Sequence, residues 1–360
     1  MSSSRIKFSL EQSMAISLVR IIATFMIIAC HIFQGYDHML AWWFNVGVQV
    51  FLFMSGYLLA QSSYKTKYEY FSKRFLRIMV PYWILLLLVI PVYHFLGVKV
   101  NIARADVPYY LTGLIGLRRL FDVGLDHLWF MALIIICYVA SMILHDVKDR
   151  LNELREVPFY IVLALIIGFL PYLESIALLP RTYAPWVATF ILGFVISYRY
   201  KGRIPIVFGI ALTAATLYTT GLRIYNENFV RWNRLPRDFV PWSKFLLGSF
   251  IFVLLYVIFK RVNFKAMPKL SKVIKVIDSY TYEIFLVHQI VILGSLSLLY
   301  LTTSKGVNIL IILGITTVGA VVLKWLCNLA YDRLLPLLGR LPIVKRAKED
   351  EMTSQEQASV

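Results

Sequence analysis

Apolar stretches long enough to cross a bilayer recur from Met14 to Cys327, with only short polar interruptions between them. A spanning helix needs about 20 consecutive apolar residues, so little of this chain is left for a separate soluble domain. With 59% hydrophobic and 16% charged residues and a mean hydropathy of +0.70, it carries more apolar side chain than polar surface could cover in water. The sequence reads as an all-α, polytopic integral membrane protein of about ten transmembrane helices.

Hydropathy places the spans at 14–36, 46–62, 79–97, 127–145, 158–174, 184–200, 204–222, 243–260, 282–301 and 306–327. The second, fifth and sixth are short for a full crossing. The formal charge of +17 does not mark a nucleic-acid binder, because the Lys and Arg residues are spread over short loops rather than gathered on one face. With the N-terminus inside, Arg5, Lys7, the group from Lys65 to Arg77, Lys148 to Arg155, Arg199 to Arg203, Lys260 to Lys275 and Arg333 to Lys348 fall on one side. That is about 24 basic residues against about 11, which the positive-inside rule reads as both termini cytoplasmic. Arg5 and Lys7 ahead of an apolar run resemble a signal peptide, but the run has full span length and no small-residue cleavage site, so it is read as a retained first helix. The chain divides into a cytoplasmic N-terminal segment (1–13), a membrane domain (14–340) and a disordered cytoplasmic tail (341–360), in the plasma or inner membrane. Outer loops at 98–126 and 223–242 are long and rich in Arg, aromatic residues and Pro, as functional loops often are. Cys30, Cys137 and Cys327 lie within spans and form neither a disulfide framework nor a metal-ligand pattern.

Charged side chains inside a span cost roughly 2.5 to 3.5 kcal/mol on insertion scales, so each asks for a reason. Arg20 and His31 on the first helix are eleven residues apart, which puts them within about 20° of one face and about 16 Å apart along the axis. They share a groove but cannot touch, a layout suited to an extended ligand between a cationic end and a histidine able to act as base. Glu283 and His288, five apart, lie roughly 140° around their helix from each other, so each must find its partner on another element. Arg74 and Arg77 are neighbours on one helical face at the cytoplasmic surface, where two guanidinium forks suit phosphates; snorkelling to lipid headgroups is the plainer alternative. Asp126, His127 and Trp129 open the fourth span at the outer interface, and an Asp beside a His is more than an anchor requires. No Gly-rich phosphate loop, paired-His zinc motif or Ser elbow is present in the sequence.

Taken together, these segments resemble the acyltransferase 3 family of polytopic membrane enzymes. LVRIIATFMIIACH has its Arg, ten residues, then His. VGVQVFLFMSGYLLA is similar to its second helix, giving Gly47, Ser55, Gly56 and Tyr57. KRFLRIMVPYW resembles its Arg-x-x-Arg followed by Pro, HLWFM its fourth span, and SYTYEIFLVHQ its Ser-Tyr to His segment, giving Tyr280, Glu283 and His288. Phe285 stands where a Tyr is often found, and acyl delivery is expected to be completed within the membrane domain without an appended esterase-like domain.

The resemblance implies an acyl donor, commonly acetyl-CoA, taken from the cytoplasm and an acceptor hydroxyl, commonly on a sugar, near the opposite face. No tightly bound cofactor or metal is implied. Carried over by residue, His31 becomes the general base, Arg20 a donor-channel residue, and Arg74 with Arg77 the contacts to the CoA phosphates. Glu283 is a second catalytic candidate; Ser55, Tyr57, Asp126, His127, Trp129, Tyr280 and His288 are expected to shape the substrate site. The expected function is O-acyl transfer, with acetyl first, onto a cell-surface or lipid-linked glycan, by direct attack or a covalent relay. Expected partners are acyl-CoA, the glycan, membrane lipids and a second copy in a homo-oligomer, with no nucleic acid. The rival readings are a transporter or flippase of a glycan or small molecule and a non-catalytic assembly protein.

Overall fold

The computed structural model describes residues 8–62, 66–98, 104–117, 124–180, 182–229, 236 and 238–337, with side chains as far as Asp332. Arg5, Lys7, Lys65 and the tail 341–360 lie outside the described residues, and the basic run from Arg333 has no described side chains. Among the described residues there is no strand. The α-helices are α1 (Leu10–Gly35), α2 (Ala41–Phe44), α3 (Gly47–Leu59), α4 (Lys67–Phe95), α5 (Val107–Thr112), α6 (Trp129–Glu153) and α7 (Glu156–Ser175). They continue with α8 (Tyr183–Arg199), α9 (Ile206–Phe229), α10 (Phe239–Phe259), α11 (Pro268–Asp278), α12 (Thr281–Ile292) and α13 (Lys305–Leu337).

Each of the ten expected spans falls on a helix. Eight segments are long and apolar enough to cross a membrane: α1, α2 with α3, α4, the helix from Asp126 to Glu153, α7, α9, α10 and Lys305–Asp332 of α13. The chain is a multi-pass membrane protein. The other two expected spans are shorter, α8 with 17 residues and α12 with 12.

Several boundaries move for identifiable reasons. In α1 a capping box sets the start: Ser9 Oγ accepts from the Gln12 amide at 3.2 Å and Gln12 Oε1 accepts from the Ser9 amide at 2.8 Å. Thr66 caps α4 by accepting from the Glu69 amide at 3.1 Å, so this helix begins twelve residues before the expected 79 and carries Arg74 and Arg77 within its own first turns. Pro81 and Pro91 sit inside α4, tolerated as in other membrane helices where neighbours re-satisfy the freed carbonyls. The expected span 282–301 is corrected to end at Ile292. Gly294 takes a positive φ of 83°, and Ser297 Oγ donates to the Ile292 carbonyl at 2.6 Å, which closes the helix although the following residues stay apolar. The expected outer loop 223–242 is also shorter, since α9 runs to Phe229 and α10 starts at Phe239.

By its internal contacts the chain divides into two compact units, one of residues 1–63 with 139–281 and the other of 64–138 with 282–360, with boundaries within α6 and at the first residue of α12. In the first unit α3 is the central element, packed on α1, α8 and α10. Small residues permit this: a Cβ on Gly56 would strike the Phe190 carbonyl oxygen of α8, and one on Gly193 of α8 would strike the Phe53 carbonyl oxygen of α3. Glycine pairs that let backbones approach are how membrane helices pack when the hydrophobic effect offers no drive between them. The same device seats Gly47 of α3 on α1, where an added Cβ would lie 2.8 Å from the Ala23 oxygen, and Gly248 of α10 against Gln49 of α3. α11 packs on α1 through Ile274, and Phe264 in the turn before α11 joins it against Met14 and Ile21.

In the second unit α4 packs on α13. Tyr282 of α12 donates to the Ile78 carbonyl at 2.6 Å, and Trp83 Nε1 donates to the Leu111 carbonyl at 2.8 Å. Gly124, with φ of 81°, lets the chain turn into α6 directly against the Leu293 carbonyl, where no side chain would fit.

Candidate functional site

Within the first unit, α1 carries Arg20 and His31, as the spacing requires. Arg20 does not stand alone. Its Nη1 donates to both carboxylate oxygens of Asp278, at 2.7 and 2.8 Å, and Ser17 Oγ donates to Oδ2 at 2.7 Å. Asp278 is the last residue of α11, so the ion pair ties that helix to α1, with 27% and 14% of the two side chains exposed. This neutralises the charge that a lone Arg would bring into the apolar face. Asp278 was not among the expected residues, and its signal was the unpaired intramembrane Arg itself.

His31 lies half-buried one turn before the end of α1, its Nδ1 donating to Gln34 Oε1 at 3.1 Å. In the neutral ring that bond selects the tautomer in which Nε2 carries the lone pair, the form a general base needs. Ser55 and Tyr57 lie on α3. Tyr57 is fully buried and donates to the Gly202 carbonyl, with its oxygen 3.2 Å from the Tyr256 hydroxyl, so its visible work is to tie α3 to the end of α8 and to α10. Tyr280 is half-buried in the turn between α11 and α12, its amide bonded to the Ile277 carbonyl at 3.0 Å.

This unit also gathers cations that the sequence reading passed over. Arg223 of α9 and Lys244 of α10 are 3% and 7% exposed. Arg223 Nε donates to Glu227 Oε1 at 2.7 Å, and its guanidinium carbon lies 4.1 Å from the ring centre of Trp43. Lys244 Nζ lies 5.5 Å from the ring centre of Trp42 and within electrostatic range of Cys30, the residue before His31. An i, i+4 Arg and Glu pair was the available signal.

The second unit holds the remaining candidates. Arg74 stacks on Tyr70, 3.8 Å from the ring centre, while Arg77 on the same face is exposed. Both lie within electrostatic range of Tyr138 on α6. A guanidinium against an aromatic face and donating to the Tyr70 carbonyl at 3.4 Å is restrained in position, and its remaining donors are of the kind that suit phosphate oxygens.

His127 and His288 come together. Their ring centres are 5.4 Å apart and edge to face, with Phe285 5.5 Å from His127. His127 is buried within the protein, its Nε2 donating to the Leu286 carbonyl at 2.9 Å; His288 Nδ1 donates to the Phe285 carbonyl at 2.6 Å. Asp126 and Trp129 flank His127 and are half-buried. Glu283 is buried on a different face, within electrostatic range of Tyr282 and of Cys327 on α13. Glu283 and His288 therefore have different surroundings, as their angular separation demands. A shallow concavity lined by Lys148, Asn152, Phe159, Tyr198 and Arg199 contains none of the candidate residues.

A family model described as an acyltransferase domain, acyltransferase 3, matches residues 15–327. This chain belongs to the acyltransferase 3 family. The match runs from α1 into α13 and takes in every candidate residue of both units. Comparison with curated proteins and with solved structures returned no match. As a membrane acyltransferase, the protein brings an activated acyl group to a nucleophile.

Proposed function

We propose that the protein is an O-acyltransferase that moves an acyl group, acetyl by preference, from cytoplasmic acyl-CoA to a hydroxyl of a cell-surface or lipid-linked glycan. The observation that carries the reading is His31: a half-buried imidazole near the end of a membrane helix, oriented by Gln34, in a chain whose family is acyl transfer. His31 Nε2 takes the acceptor proton as the hydroxyl oxygen attacks the thioester carbonyl. The tetrahedral intermediate collapses with loss of the CoA thiolate, which recovers the proton.

In this reading Arg74 and Arg77 bind the phosphates of the donor. Arg20, clamped to Asp278, keeps α1 fixed against α11, and Glu283 is a second proton-handling group. Ser55, Tyr57, Asp126, His127, Trp129, Tyr280 and His288 shape the substrate site. We take the enzyme to sit in the plasma or inner membrane with both termini in the cytoplasm, as the basic loops favour.

The test is turnover of radiolabelled acetyl-CoA by protein purified into nanodiscs, with and without added glycan, beside His31→Gln. Release of CoA that depends on His31 supports acyl transfer from CoA. Full activity in a folded His31→Gln protein removes His31 from the mechanism, and failure of folded wild type to bind or turn over acyl-CoA removes the donor.

A further inference from the structure

We infer that Arg223 and Lys244 form an anion-binding subsite beside the His31 end of α1, and that it selects an acceptor glycan carrying an oxyanion, a phosphoryl or carboxylate group. The acceptor assignment rests on the acyl-transfer reading; the anion site rests on its own geometry.

Among the described residues the charges do not balance. Two cations, 3% and 7% exposed, lie near one carboxylate, and that carboxylate is held by Arg223 Nε at 2.7 Å. Among the described residues no side chain or carbonyl accepts a hydrogen bond from Lys244 Nζ or from the two Nη atoms of Arg223. Keeping an ammonium largely out of water without an anion is costly, and the face of Trp42 at 5.5 Å offsets only a small part of that. A bound oxyanion supplies the missing charge and accepts from both cations, in charge-assisted bonds of the strong kind.

Two further features point to a ligand at this place. Gln49 of α3 is 1% exposed and its Oε1 has no hydrogen-bond partner among the described residues. It packs against Gly248, one turn along α10 from Lys244. Trp42, by contrast, is 64% exposed, so an aromatic face stands open beside buried cations. A flat apolar ring with donors at its edge suits a sugar that bears a charge. Because Lys244 lies within range of Cys30, the site adjoins the helical turn that carries His31.

The experiment uses full-length protein in neutral phosphatidylcholine nanodiscs and ligand-observed NMR with glucose 6-phosphate, glucuronate and glucose, with CoA binding measured on the same samples. The expected result is that the charged sugars bind at least about tenfold tighter than glucose. Lys244→Gln and Arg223→Gln should abolish that preference, and Lys244→Arg should keep it, with CoA binding unchanged in all. Whichever charged sugar binds more tightly identifies the oxyanion as phosphoryl or carboxylate. Equal binding of glucose and the charged sugars, or a preference intact in Lys244→Gln, overturns the inference. If Lys244→Gln does not fold, the wild-type preference and Lys244→Arg decide it. Charged-sugar binding without any CoA binding leaves the anion site standing and removes the acyl-CoA reading; CoA binding without charge preference does the reverse.

Discussion

Arg20 and Asp278 are 258 positions apart in sequence, yet one guanidinium nitrogen reaches both carboxylate oxygens, at 2.7 and 2.8 Å. The pair joins the middle of α1 to the last residue of α11. With Ser17 adding a third hydrogen bond, the carboxylate has two partners on the same helix.

Removing the negative partner leaves a cation in an apolar face. Asp278→Asn should lower stability by about 1 to 3 kcal/mol, less than the 3 to 5 kcal/mol typical of a fully buried pair because both side chains keep some water. Thermal unfolding in nanodiscs reads this, and a double-mutant cycle with Arg20→Gln should return part of the loss. An unchanged melting point in Asp278→Asn would show that the contact contributes nothing.

For His31→Gln the expected outcome is a fall in kcat of about 10²- to 10⁴-fold, the usual reach of general-base catalysis, with little change in melting temperature. A parallel loss of stability and activity would instead make His31 a packing residue.

Arg74 and Arg77 should act on donor affinity. Each Ala variant is expected to raise KM for acetyl-CoA about tenfold, the scale of one charge-assisted hydrogen bond. The effect should shrink with a donor lacking the 3′-phosphate. Arg74→Lys should recover little, since a point charge does not reproduce a planar fork stacked on Tyr70. Unaltered KM in all three variants would assign the two side chains to lipid headgroups.

Gly56→Ala and Gly193→Ala should each cost about 1 to 3 kcal/mol or more, the range for overpacking a core, since the obstacle is a rigid carbonyl in both cases. Gly168→Ala, whose added Cβ meets nothing within 4 Å, is the control and should be neutral or mildly stabilising. Equal melting temperatures for the three would mean that α3 and α8 are not closely seated.

The helices were legible because a span announces itself by uninterrupted apolar length, and all ten expected segments fall on helices. The end of α12 was not, because LGSLSLLYL stays apolar while the turn depends on one positive φ at Gly294 and a serine cap. Start points such as Thr66 were hidden for the opposite reason: the first turns of α4 are polar, and hydropathy begins counting only after Arg77. His31, Arg20, Arg74 and Arg77 could be found from charge and spacing. Asp278 could not be paired with Arg20 by any local pattern, since their contact is made by tertiary packing of α11 on α1. Arg223 falls in the expected loop 223–242, and a loop hides which face an arginine presents, whereas α9 continues to Phe229; Lys244 lies inside the expected span 243–260, where its charge asks for a reason as that of Arg20 does.

The reciprocal seating of Gly56 on Phe190 and Gly193 on Phe53 has a dynamic consequence. Where each backbone touches the other's carbonyl at two levels, neither helix can slide or roll without a collision, so α3 and α8 travel as a single rigid lever. Any gating that admits substrate or releases product in this unit must therefore pivot at joints elsewhere, while the lever keeps its shape through every turnover.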